Sequence, residues 1–126
     1  MVIKGGRLIT PTEELCADLR IENGIVTEIG EDLSDECVVN AEGCIVTPGF
    51  IDIHTHGGYE ADFMDSTEEA YERALRFHFD NGTTTVVPTS CTAPQEIIVE
   101  FLRFSREYMK KEHGENARVE IGRAHV

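Results

Sequence analysis

From Phe50 to Met109 the sequence reads strand, helix, strand, helix, and that order is the tightest constraint on what this chain can fold into. Phe50-Ile51-Asp52-Ile53-His54 is a short apolar strand. Ser66-Thr67-Glu68-Glu69 has the form of a capping box, in which Ser66 accepts from the backbone N–H of Glu69 and the Glu69 side chain reaches back. Ala70, Tyr71, Ala74, Leu75 and His78 then recur at helical spacing, and Asn81-Gly82 ends the helix. Thr83 to Val87 is rich in β-branched residues, which favours a strand, and Pro88 closes it. Pro94 suits the first turn of a second helix, with Ile97, Ile98, Phe101, Leu102, Ser105, Tyr108 and Met109 as its buried stripe. Lys110, Lys111 and His113 favour the negative pole of that helix, and Gly114 is a stop signal. A βαβα order implies a parallel sheet with right-handed crossovers. These are two βα units, whereas a closed barrel of eight takes ~250 residues. The fold class is therefore α/β, with the architecture started and not finished.

The stretch before Pro48 has a different texture and reads as all-β. Val2-Ile3 and Leu8-Ile9 flank Gly5-Gly6, a turn dipeptide. Residues 17–22 alternate apolar and polar, as a half-buried strand does, and Asn23-Gly24 is the strongest short hairpin signal. Ile25 to Ile29 reads as the returning strand, and Val38-Val39-Asn40 as a further short one before a turn at Glu42-Gly43.

Charge narrows the partners. Eleven basic residues against twenty-four acidic ones give a formal net charge of −13. Such a balance repels phosphate backbones and anionic lipid, so nucleic acid and membrane surfaces are excluded as partners. A small phosphorylated substrate is still compatible, because a few local cations or helix N-termini hold a phosphate whatever the global charge. The opening MVIKGGRLIT lacks the layout of a secretion signal, and no apolar run approaches the ~20 residues of a membrane span. Cys16, Cys37, Cys44 and Cys91 form no CxxC pair; four cysteines allow two disulfides, but without a secretion signal reduced thiols and a cytoplasmic location are expected.

His54 and His56 carry the chemistry. On a strand, residues i and i+2 point to one face, so the two imidazoles converge at the C-terminal end of a buried strand. That is where βα barrels keep their active sites. Neutral imidazole binds zinc and similar metals at ~2.0–2.1 Å. A bare HxH is otherwise a common surface or core pattern; the apolar strand before it, Pro48-Gly49 and Gly57-Gly58 supply the context. The glycine pair lets the chain turn sharply and keeps the metal face open. Two ligands do not complete a catalytic site, which usually has three protein ligands and an open position. Asp52 shares their parity and either orients an imidazole or makes a structural hydrogen bond. Asp62 and Asp65 read as solvated or capping residues, His78 as a satisfied core histidine, and Cys91 as a small packing residue at the site rim.

Val46-Thr47-Pro48-Gly49-Phe50-Ile51-Asp52-Ile53-His54-Thr55-His56 resembles the first-barrel-strand signature of the amidohydrolase superfamily. That superfamily includes dihydroorotases, hydantoinases and N-acetylglucosamine-6-phosphate deacetylases. The loop from His56 to Asp65, the Gly82-Thr83-Thr84-Thr85-Val86-Val87-Pro88-Thr89 strand and Thr92-Ala93-Pro94 are similar to the deacetylase branch. The resemblance implies that residues 1–47 are the N-terminal part of a small β-sandwich domain and residues 48–119 the first two βα units of a (β/α)8 TIM barrel. It implies hydrolysis of N-acetylglucosamine 6-phosphate to acetate and glucosamine 6-phosphate in amino-sugar catabolism. It also implies one or two divalent ions, zinc or iron, on His54 and His56, and a homodimeric full-length parent. The family's glutamate and later histidine ligands, catalytic aspartate and phosphate-binding residues have no counterpart here, so the chain alone is expected to be inactive.

The last seven residues, from Glu120 to Val126, depart from the family. They can be encoded by GAGATCGGAAGAGCACACGTC, which from its second base is the start of a common sequencing-library adapter whose next in-frame triplet is TGA. Residues 120–126 are therefore expected to be adapter-derived, and His125 is excluded as a ligand. Two other functions compete with the deacetylase. One is another amidohydrolase acting on a cyclic amide, as dihydroorotases and hydantoinases do. The other is a non-catalytic metal-binding or β-sandwich interaction module.

Overall fold

A computed structural model of the chain describes residues 1–111, 114–120 and 122–124. His113, assigned above to a helix terminus, and His125 lie outside the described residues. The chain divides into two compact units, Met1–Pro48 and Gly49–Val126.

The first unit is one five-stranded sheet, from β1 (Val2–Ile9), β2 (Glu14–Glu22), β3 (Ile25–Gly30), β4 (Val38–Asn40) and β5 (Ile45–Val46), in the order β3-β2-β1-β4 with β5 also on β1. Asn23 and Gly24, at φ of 52° and 77°, make the tight turn between β2 and β3. Gly5-Gly6 is not a turn. β1 runs straight through it, and the register with β2 shifts between Ile3 and Gly6, where Gly5 takes a φ of +69°. One positive-φ glycine in a strand adds a residue to one side of the ladder without reversing the chain. The bulge points the Gly5 N–H at Asp18 Oδ1 (2.9 Å), while Asp18 Oδ2 accepts from the Leu33 N–H (3.0 Å). Asp18 is thus a buried carboxylate with its acceptors filled. Ile25, Val26, Ile29, Val38, Val39 and Ile45 all leave apolar side chains in solvent.

In the second unit β6 (Phe50–Thr55) leads into a hairpin of β7 (Gly57–Gly58) and β8 (Ala61–Asp62), a 3₁₀ turn (Phe63–Asp65) and helix α1 (Glu68–Asp80). Then come β9 (Thr83–Pro88), helix α2 (Gln95–Tyr108) and β10 (Arg118–Val119). The sheet order is β10-β9-β6 with both pairings parallel, the mixed α/β layout that the strand–helix alternation requires. Glu120 and Arg123 lie beside β9: the Glu120 N–H donates to Val86 O (2.9 Å) and the Arg123 N–H to Pro88 O (2.8 Å).

All of Ala70, Tyr71, Ala74, Leu75 and His78 are buried on α1. The cap, however, is one residue later than the sequence suggests. Thr67 Oγ1 accepts from the Ala70 N–H (3.3 Å), while Ser66, at φ 50°, ends the 3₁₀ turn. Two adjacent hydroxyl residues can each cap, and the turn before the helix uses the first. The reciprocal box belongs to Asp62 and Asp65 instead, each carboxylate accepting from the other's end of the 3₁₀ turn. On α2 the stripe holds at Ile98, Phe101, Ser105 and Tyr108, whereas Ile97 is exposed. β6 is not the buried strand that its composition suggests. Phe50, Ile51 and Ile53 are 60%, 66% and 65% exposed, and among the described residues β6 lies at the sheet edge, paired on one side only.

The core gathers around Tyr71, whose ring lies 4.9 Å from each of Phe63, Phe104 and Tyr108. Burial pushes the phenols of Tyr71 and Tyr108 up to about 12. The unfolded phenol titrates near ~10. The folded state therefore holds these protons more tightly, and the stability this represents is complete below pH ~10 and lost as pH rises through about 12. The thermal midpoint is expected to fall steeply across that window, and Tyr71→Phe to flatten the fall, measured by circular dichroism at a series of alkaline pH values.

Candidate metal centre

β6 and β9 run parallel, so their C-terminal ends meet at one end of the sheet. His54 is the penultimate residue of β6, and His56 stands one residue past it, just before the hairpin. The two rings are 5.4 Å apart between centroids and nearly perpendicular, at 71°. The sequence parity therefore brings together the intended pair, although only one of the two is on the strand itself.

The neighbouring strand end holds His56. Its Nδ1 lies 2.9 Å from the carbonyl oxygen of Thr89, the residue after β9. A carbonyl only accepts, so Nδ1 carries the hydrogen and the lone pair sits on Nε2. Thr89 is itself fully buried, and its N–H donates to Thr55 O (2.8 Å), which ties the two strand ends together. Sequence reasoning missed this carbonyl, because a backbone acceptor leaves no trace in residue type. Cys91 Sγ lies 3.5 Å from the same Nδ1 and is exposed, so Cys91 is a residue of the site mouth rather than a packing residue.

Asp52 takes the structural role of the two that its parity allowed. Its Oδ1 accepts from the His54 backbone N–H (2.9 Å), and its Oδ2 lies 4.0 Å from His78 Nδ1. The pairing of β6 with β9 explains this. Asp52 pairs with Val86 and Thr55 with Pro88, three steps on one strand against two on the other, so strict alternation breaks between them.

The glycine pair also differs from expectation. The sharp turn is made by Tyr59 and Glu60, at φ of 48° and 60°. Gly57 and Gly58 are needed for close approach instead: a Cβ on Gly57 would lie 1.9 Å from Ala61 O, and one on Gly58 2.6 Å from Phe77 Cδ1. Gly57→Ala is expected to lower stability by about 3 kcal/mol, since the obstacle is backbone and cannot swing aside. Gly24→Ala, with open space around the site, costs less; comparing the two thermal midpoints checks this.

The residues present fit a metal in part. Two imidazoles bound through nitrogen at ~2.0–2.1 Å and a tetrahedral angle have ring centres about 5 Å apart, close to the observed spacing. His56 has the tautomer of a ligand buttressed from behind. Among the described residues no group of three or more His, Cys, Asp and Glu side chains could hold a metal, so this chain supplies a pair and not a full set. No helix among the described residues is long and apolar enough to cross a membrane.

The chain is similar to known proteins. A model of the amidohydrolase family matches residues 45–124, and the chain belongs to that family. It is 40% identical over 90 residues to an allantoinase of Enterococcus faecalis, covering 68% of this chain and 19% of the relative. It is 29% identical over 116 residues to a dihydroorotase of Macrococcus caseolyticus, covering 87% of this chain and 26% of the relative. Among solved structures it superposes on the N-acetyl-D-glucosamine-6-phosphate deacetylase of Mycobacterium smegmatis with a TM-score of 0.79 at 27% identity. That superposition covers 94% of this chain and 34% of the deacetylase. The chain thus spans between a fifth and about a third of the length of these proteins.

Proposed function

We propose that this chain is the amino-terminal part of a metal-dependent amidohydrolase that removes the N-acetyl group from N-acetylglucosamine 6-phosphate. In this reading residues 1–47 begin a β-sandwich, residues 48–119 begin a TIM barrel, and the remaining ligands, the catalytic acid–base group and the phosphate site come from segments beyond them. Residues 120–126 are the adapter-derived tail of this reading, although Glu120 and Arg123 bond to β9 and the family match reaches residue 124. The full-length parent is a cytoplasmic homodimer, inactive when cut to this piece.

The observation that carries the reading is the pair of imidazoles at the carboxyl end of β6, 5.4 Å apart, with one ring backed by the Thr89 carbonyl. His54 and His56 would hold the divalent ion. When bound, zinc or iron supplies Lewis acidity toward an amide carbonyl and toward water. The chain's own contribution is orientation: the end of β6 would set the two rings on one ion, and the Thr89 carbonyl keeps the proton of His56 on Nδ1, leaving Nε2 for the metal. The backbone match to the Mycobacterium smegmatis deacetylase over 94% of the chain supports the amino-sugar substrate.

A second reading, hydrolysis of a cyclic amide, is favoured by the allantoinase and dihydroorotase relatives. The full-length parent, loaded with zinc, is to be assayed for acetate release from N-acetylglucosamine 6-phosphate and for ring opening of allantoin and dihydroorotate. Acetate release as the preferred reaction supports the first reading. Preferred ring opening replaces it with the second, and a zinc-loaded protein inert to all three substrates removes both.

A further inference from the structure

Helix α1 reaches the candidate metal centre through one side chain. His78 is 6% exposed, and its Nε2 lies 3.2 Å from Gly57 O and 3.2 Å from Thr55 Oγ1. Thr55 Oγ1 in turn donates to Gly57 O at 3.3 Å. The three atoms form a closed triangle around the residue between them in sequence, which is His56. Gly57 O only accepts, so Nε2 carries the hydrogen, shared with the threonine oxygen. On the other side of the ring, Nδ1 faces Asp52 Oδ2 at 4.0 Å, and Asp52 Oδ1 accepts from the backbone N–H of His54. One imidazole on the helix thereby touches the chain on both sides of His56 and comes within 4.0 Å of the carboxylate that holds the backbone of His54.

A buried histidine needs a partner, and one partner would satisfy it. This one is placed where three groups of the β6 strand end converge, at the point where that strand breaks its alternation against β9. The β9 side holds that segment through Thr89, and the Phe63 N–H donates to His56 O (2.8 Å). The helix adds the contacts of His78 to Thr55 and Gly57.

Building on the metal-centre reading above, we infer that His78 is a positioning residue for the His54–His56 pair: it locks the backbone between and behind the two ligands so that both rings aim at one ion. Residues that orient metal ligands from the second layer typically change metal affinity by ~10–100-fold when removed.

The test is zinc affinity of the full-length parent, measured by competition with a chromophoric chelator at a temperature well below the unfolding midpoint of every variant. His78→Phe keeps the ring volume and loses the donor; it is expected to weaken zinc binding by about 10–100-fold. His78→Gln offers an N–H at a similar reach and is expected to restore most of that loss, which a merely structural filling role would not produce. Thr55→Val, which removes only the hydroxyl corner of the triangle, should weaken binding in the same direction by a smaller factor. It also serves if His78→Phe fails to fold. A folded His78→Phe with wild-type zinc affinity, or a Thr55→Val indistinguishable from wild type, overturns the inference. Wild-type protein that takes up no zinc overturns the metal reading itself, a separate result.

Discussion

His56→Ala in the full-length parent is expected to lower kcat/KM by about a thousandfold or more, equivalent to ~4 kcal/mol of transition-state stabilisation. A catalytic site of this kind has three protein ligands and an open position, so the loss of one ligand removes a large share of the binding and misdirects what is left. His54→Ala should behave alike, because its ring is the other member of the 5.4 Å pair. Cys91→Ser is the control: Cys91 lies 3.5 Å from His56 Nδ1, yet the Thr89 carbonyl already holds that nitrogen at 2.9 Å. It should leave the rate within about threefold of wild type, since removing one weak sulfur contact is worth little. Steady-state assays of the three variants with N-acetylglucosamine 6-phosphate, the substrate proposed above, separate these outcomes. A His56→Ala enzyme of normal activity would remove the imidazole pair from the chemistry.

The second large effect is on folding. Tyr71 is fully buried, its ring meets Phe63, Phe104 and Tyr108, and its hydroxyl shares a hydrogen bond of 2.5 Å with Ser105, itself buried on α2. Tyr71→Ala is expected to cost about 3–5 kcal/mol, the range for removing a large aromatic from a core, with the Ser105 hydroxyl left unsatisfied besides. That is a large part of the total stability of an ordinary domain, ~5–15 kcal/mol. Tyr71→Phe keeps the ring and should cost about 1–2 kcal/mol through the lost hydrogen bond alone. Thermal midpoints at one scan rate rank the three proteins, and a Tyr71→Ala midpoint equal to wild type would mean that this aromatic cluster does not hold α1 and α2 together.

What could be read from residues, and what could not, divides along physical lines. The α1 stripe from Ala70 to His78 and the Asn23-Gly24 turn were both legible, because each depends on a local rule that nothing distant overrides. Gly5-Gly6 misled because a glycine pair signals positive φ without saying whether the chain turns or bulges; the Asp18 carboxylate that receives the Gly5 N–H is 13 residues away. Ser66 and Thr67 are equivalent as caps until the 3₁₀ turn claims one. The imidazole pair was legible from i, i+2 spacing, but what orients it was not. Thr89 acts through its backbone carbonyl, and Asp52 departs from its parity because the β6–β9 ladder slips. His78 read correctly as a satisfied core histidine; that its partners flank His56 depends on helix-to-strand docking, which periodicity does not encode.

The central claim, that two imidazoles from one strand end grip a divalent ion, is met most directly by metal K-edge absorption on the zinc-loaded full-length parent beside its His54→Ala/His56→Ala double variant. The account predicts imidazole scattering with nitrogen at ~2.0–2.1 Å in the wild type, and loss of at least that part of the signal in the variant. An unchanged metal environment in the double variant would contradict it.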